Sequence, residues 1–173
     1  MRRTLEIVGV GMLAVLYWIT YSALNGPEKL PDRIPTHFDF SGQPNAWGPP
    51  GLLWFLPVVA SGVYLMMTVL AGIRFRRYNL PVPVTEANLP FIQDQTALMV
   101  AWIKCELLCL FAYLQWSIIQ SARNGTFRIS PLMIPVFLVV IFSTVGWRLT
   151  TMIRGAKARA ESITSGRPIQ NLP

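Results

Sequence analysis

Four long apolar runs, at residues 5–24, 52–73, 96–120 and 132–153, dominate this chain and leave few folds open to it. Each reaches about 20 residues, the length a helix needs to cross a hydrocarbon core of roughly 30 Å. Composition agrees: 53% of the 173 residues are hydrophobic and 13% charged, against about 25% charged in a soluble domain. The expected fold is all-α, an integral membrane bundle of four transmembrane helices. The first run follows Met1-Arg2-Arg3 and is interrupted only by Glu6. It is longer than a signal-peptide core of roughly 7–15 residues and its end lacks a small-residue cleavage site, so it reads as a retained anchor. Asn25-Gly26-Pro27 then stops the helix.

Between the runs, residues 25–51 form one loop, and residues 79–95 read as a connector in which Pro81, Pro83 and Pro90 leave no room for a long helix. Asn124-Gly125 marks a turn, and residues 154–173 form a polar tail, helical over its first turns. The net charge of +7 sits in short clusters at the ends of apolar runs, not on a continuous basic face. That pattern orients a membrane protein and argues against nucleic-acid binding.

With both termini in the cytoplasm, Arg2, Arg3, Arg74, Arg76, Arg77, Arg154, Lys157, Arg159 and Arg167 lie inside. Only Lys29, Arg33, Arg123 and Arg128 then lie outside, and nine against four sets the expected topology. The expected location is the bacterial cytoplasmic membrane, multi-pass, with loop 25–51 on its outer face. Membrane lipid is an expected partner, and the pattern is compatible with an oligomer.

Two groups of residues could carry function. The first is in the loop: Leu30-Pro31-x-x-Ile34-Pro35-x-His37-Phe38-x-x-x-Gly42-x-Pro44-x-x-Trp47. Pro31 and Pro35 fix φ and push their predecessors towards extended geometry, which predicts a stiff strand-like stretch. Alternation then puts Thr36, Phe38 and Phe40 on one side and Pro35, His37 and Asp39 on the other. Ser41-Gly42-Gln43-Pro44 supplies a turn, and Trp47 suits a membrane interface. His37 is the only histidine. It reads first as a structural hydrogen-bonding group, second as a recognition or pH-sensing group, and last as catalytic or metal-binding, because no nucleophile is placed beside it.

The motif resembles that of a bacterial membrane family of unknown function, found at the N-terminal end of immunity proteins such as the one against the sporulation-delaying protein toxin. The resemblance covers roughly residues 13–60. It implies a motif that follows the first span and a surface, more than a reaction. This chain departs from the family at Asn45, where Asp is frequent, and at Pro49-Pro50, where a Lys is frequent.

The second group lies inside the membrane: Lys104 and Glu106, with Glu6 and Arg148 near the cytoplasmic ends of their spans. A charge at mid-membrane depth costs at least about 2.5–3.5 kcal/mol, so each needs a partner or a water-filled cavity. Two residues apart on a helix, Lys104 and Glu106 cannot pair with each other. Lys104 shares a face with Leu108, Phe111 and Gln115, and Glu106 with Cys109, Leu110 and Tyr113. Glu6 or Glu106 is expected to meet a cation from Lys104 or Arg148. Cys105 and Cys109 read as small buried hydrophobes, and neither a metal nor a cofactor is expected.

Three function classes follow. The leading one is a non-enzymatic binding or sensing protein whose outer loop recognises a peptide, lipid or envelope partner. The second is a small intramembrane enzyme or transporter using Lys104 and Glu106 in a polar cavity. The third is a non-catalytic assembly subunit, and a plain structural cap is the simplest reading of the loop.

Overall fold

The computed structural model describes residues 1–125 and 130–164, with side chains to Ser162. Arg128, Arg167 and the end of the expected tail lie outside the described residues. Four helices form the frame: α1 (Arg2–Asn25), α2 (Phe55–Gly72), α3 (Leu89–Asn124) and α4 (Met133–Thr164). Each is long and apolar enough to cross a membrane, as in a multi-pass membrane protein. A two-stranded antiparallel hairpin, β1 (Ile34–Phe38) and β2 (Pro44–Gly48), and a short 3-10 helix (Pro50–Trp54) join α1 to α2.

Helix ends follow local chemistry. At Gly26 the chain turns out of α1 while its N–H still reaches Ser22 O at 2.9 Å. A Cβ at Gly26 would lie 2.4 Å from that carbonyl, so only glycine fits. Pro57 falls in the first turn of α2, where the missing N–H costs no hydrogen bond. Gly125, at φ 63°, closes α3 in the left-handed conformation and donates to Ser121 O.

One boundary differs from expectation. α3 starts at Leu89, not Thr96, because Pro90 occupies its first turn and does not break it. α4 runs on to Thr164, about three turns into the polar tail, as expected. At 36 residues α3 is about 54 Å long, well beyond the hydrocarbon thickness.

α3 is the centre of the bundle and packs against α1, α2, β1 and α4. Its buried stripe runs Ala97, Ala101, Lys104, Leu108, Gln115, Ile119 and Ala122, with steps of three, four or seven that stay on one face. Small residues let the backbones approach. Ala60 packs with Leu16 and Leu108, Ala101 packs with Leu5 and Cys105, and a Cβ at Gly9 would touch Tyr64 at 3.0 Å.

The two ends of the bundle are built differently. At the hairpin end, Ala23, Ile34, Leu53, Ile119 and Ala122 form one cluster. At the opposite end, Ile92, Met152 and Ala156 pack under Tyr78, Leu80, Val82, Val84 and Phe91. The connector therefore folds back onto α3 and α4. Buried Asn88 fixes it: its Nδ2 donates to Pro83 O (2.9 Å) and Ala156 O (3.3 Å), and its Oδ1 accepts from Thr85 N (2.8 Å).

Candidate functional site

The hairpin is shaped by its turn and by an irregular register. Asp39 Oδ1 accepts from Ser41 N (2.9 Å), Ser41 Oγ (2.7 Å) and Gln43 N (3.0 Å), an aspartate-stabilised turn. Gly42 takes φ 76°, which L side chains avoid. Pairing runs Ile34–Gly48, Pro35–Trp47, His37–Ala46 and Phe38–Pro44, so Thr36 and Asn45 are each left without a direct partner. This bulge breaks the simple alternation expected along β1. Consecutive Ile34 and Pro35 are buried, whereas Thr36 and His37 are both exposed.

The motif residues divide accordingly. Ile34 plugs into the core between Ala23 and Ile119, and Leu30 packs on the same cluster. Arg33 donates to Trp47 O at 3.3 Å, tying the strand entry to β2. Pro31 and Trp47 are exposed, Pro44 is half-buried, and Phe40 stands at full exposure beside the turn. His37 Nδ1 contacts Asn45 Oδ1 at 2.6 Å across the strands.

Beneath the hairpin lies a cavity of about 810 Å³, walled by β1, the start of α2, the Leu114–Ile118 part of α3 and the start of α4. That volume falls within the roughly 300–1,000 Å³ of small-molecule sites. Ile34, Pro35, His37, Phe38 and Gly42 of the motif line it; Leu30, Pro31, Pro44 and Trp47 do not. The opposite wall comes from Leu53, Leu56, Leu114, Gln115, Met133 and Ile134.

Gln115 and the first turn of α4 were not singled out in the sequence. Gln115 is wholly buried, and its Nε2 donates to Thr20 Oγ1 (2.7 Å) and Leu53 O (2.9 Å), which ties α3 to α1 and to the 3-10 helix. The signal was present: an amide in an apolar run, on the face shared with Lys104 and Leu108.

The intramembrane polar residues split into two separate sets. Lys104 is fully buried, and its Nζ reaches Glu6 Oε2 at 2.5 Å and Thr68 Oγ1 at 2.9 Å, 4.3 Å from the centre of the Tyr64 ring. Tyr64 OH also donates to Glu6 Oε2, at 3.2 Å. The cation thus receives two oxygens and an aromatic face, which offset its desolvation. Glu106 faces the other way and accepts from Thr144 Oγ1 at 2.5 Å. Arg148 donates to Gln95 Oε1 at 2.7 Å, and among the described residues no ion pair joins it to Glu106. Neither Lys104 nor Glu106 lines the cavity under the hairpin. The geometry does not join them in a shared site. Cys105 and Cys109 are free thiols, the first buried with its Sγ 3.3 Å from Leu5 O. Among the described residues no group of three or more His, Cys, Asp or Glu is placed to hold a metal ion.

A domain of unknown function, DUF1648, is found at residues 11–60. No curated protein and no solved structure matches the chain. The matched residues run from within α1 through the hairpin and the 3-10 helix to Ala60 of α2. This chain is therefore similar to that family over the segment that builds the roof and one wall of the cavity.

Proposed function

We propose that this protein is a membrane binding or sensing protein, with the hairpin on the outer face of the bacterial cytoplasmic membrane. In this reading the hairpin and the cavity beneath it hold an apolar or amphipathic partner, a peptide or a lipid. The observation that carries the proposal is the cavity of about 810 Å³ roofed by the motif itself. Exposed Phe40 and Trp47 beside it add apolar contact surface. The nine-to-four bias of basic residues supports the orientation. The resemblance of the motif to toxin-immunity proteins supports recognition at that face.

Two measurements test the reading. A membrane-impermeant maleimide should label Ser41→Cys in intact cells, in a background with Cys105 and Cys109 replaced by serine. Labelling only after permeabilisation would reverse the orientation. Mass spectrometry of molecules co-purifying with the full-length protein should reveal a species that is depleted at least about tenfold by Leu114→Trp, which fills the cavity. Identical extracts from both proteins would sink the binding reading.

A further inference from the structure

The exposure of the lining residues shows where the cavity opens. Leu53 and Gln115 are buried and close its inner end, whereas Phe55 and Ile134 are 65% and 58% exposed and mark its mouth. Phe55 is the first residue of α2, and Ile134 lies in the first turn of α4. These two helices flank α3, and each packs mainly on it. The mouth therefore lies between the starts of two membrane spans, under the turn that carries Phe40.

Helix length sets the depth of that mouth. The 18 residues of α2 extend about 27 Å, short of a hydrocarbon thickness of roughly 30 Å. Arg74, Arg76 and Arg77 follow directly and hold the far end at the polar boundary. Phe55 then has to sit at the edge of the hydrocarbon on the hairpin side. Tryptophan gathers at membrane–water interfaces, and two stand at this level: Trp54 precedes Phe55, and exposed Trp116 follows Gln115. The apolar rim of the mouth is thus continuous with the lipid-facing surface of the spans, where Val58 and Val136 are 61% and 59% exposed.

We infer, on the binding reading above, that the cavity opens sideways into the leaflet on the hairpin side and takes the hydrocarbon tail of a membrane lipid. The tail enters between Phe55 and Ile134 and lies along Leu114, Ile118 and Met133, which are half-buried and apolar. Its headgroup stays outside, at the level of Trp54. An acyl chain reaches this site from the bilayer without crossing water.

Photolabelling of the full-length protein in phosphatidylcholine nanodiscs tests this with two diazirine probes. One is phosphatidylcholine carrying the diazirine on an acyl chain; the other is photo-leucine dissolved in the buffer. The lipid probe should give adducts at Leu114, Ile118 and Met133, with lipid-facing Val69 as the reference. Leu114→Trp, which fills the cavity, and Ile134→Trp, which narrows the mouth, should each remove the adducts at Ile118 and Met133 and leave those at Val69. Interior labelling by photo-leucine at or above that by the lipid would overturn the lateral mouth and leave the binding reading standing. Interior lipid adducts that survive either substitution would do the same. No interior adducts from either probe, whatever the labelling of Phe55 and Ile134, would overturn both readings.

Discussion

The two ends of the bundle solve the same problem in opposite ways. At each, a connector must cover the tips of helices. The connector between α2 and α3 does so by filling: Tyr78, Leu80 and Val82 pack onto Ile92 and Met152, and Asn88 satisfies three backbone groups. The hairpin does so by spanning. It anchors through Ile34 and leaves about 810 Å³ under its roof. An open recess of that size with apolar walls suits a small-molecule site, which a packed connector does not offer. The contrast is between a connector that packs its own side chains onto the helix ends and a hairpin that bridges over a recess.

Substitutions can sharpen or break that contrast. The largest effect is expected in the packed helix interface outside both ends, at Lys104→Met. It strands Glu6 beside Tyr64 without its cation, and losing one partner of a buried pair costs about 3–5 kcal/mol. Glu6 keeps 27% side-chain exposure, which places the loss at the lower end of that range. Glu6→Gln combined with Lys104→Met should regain most of it. Equal stability of the single and double variants in detergent unfolding would show that the pair is not a unit.

Next comes Gly155→Ala. Its Cβ would lie 2.4 Å from Phe91 Cζ, on a ring that Arg159 covers at 3.7 Å, so the neighbours have little room to yield. Overpacking of this kind costs about 1–3 kcal/mol, and thermal unfolding should register it. The smallest effect is expected at the hairpin end. Leu114→Trp projects into the void, and filling a cavity commonly stabilises by about 0.5–2 kcal/mol. A destabilisation matching that of Gly155→Ala would mean the two ends are equally tight, and the contrast would fail.

Much of this architecture was legible in the sequence, for reasons that also explain what was not. Hydrocarbon thickness fixes the length of an apolar run, so the four spans emerge from run length and composition. That rule is blind to helix outside the membrane, which is why the first turns of α3 fall outside the expected span. Pro90 is compatible with that start because in the first turn a proline forfeits no hydrogen bond. The need of Lys104 for a partner followed from its depth in the membrane. That the partner is Glu6, with Thr68 and Tyr64 alongside, depends on how α1 and α2 rotate about α3, and no local pattern encodes that rotation. The strand at β1 was foreseeable from Pro31 and Pro35, but the bulge at Thr36 was not. The cavity needs four chain segments to meet, and that meeting is not encoded in any one of them.

The Glu6–Lys104 pair also sets a timetable for synthesis. Its two members are 98 residues apart in the chain, a gap that takes roughly 5–20 s to translate at about 5–20 residues per second. For that interval the carboxylate on the first helix waits in or near the bilayer without its cation. Tyr64, which is made 58 residues after Glu6, arrives first and can supply a hydroxyl in the meantime. On this schedule α1 and α2 form a provisional pair that α3 completes. Chains arrested before residue 104 should therefore be extracted from membranes more readily than chains arrested after α3 has emerged, and Tyr64→Phe should widen the difference.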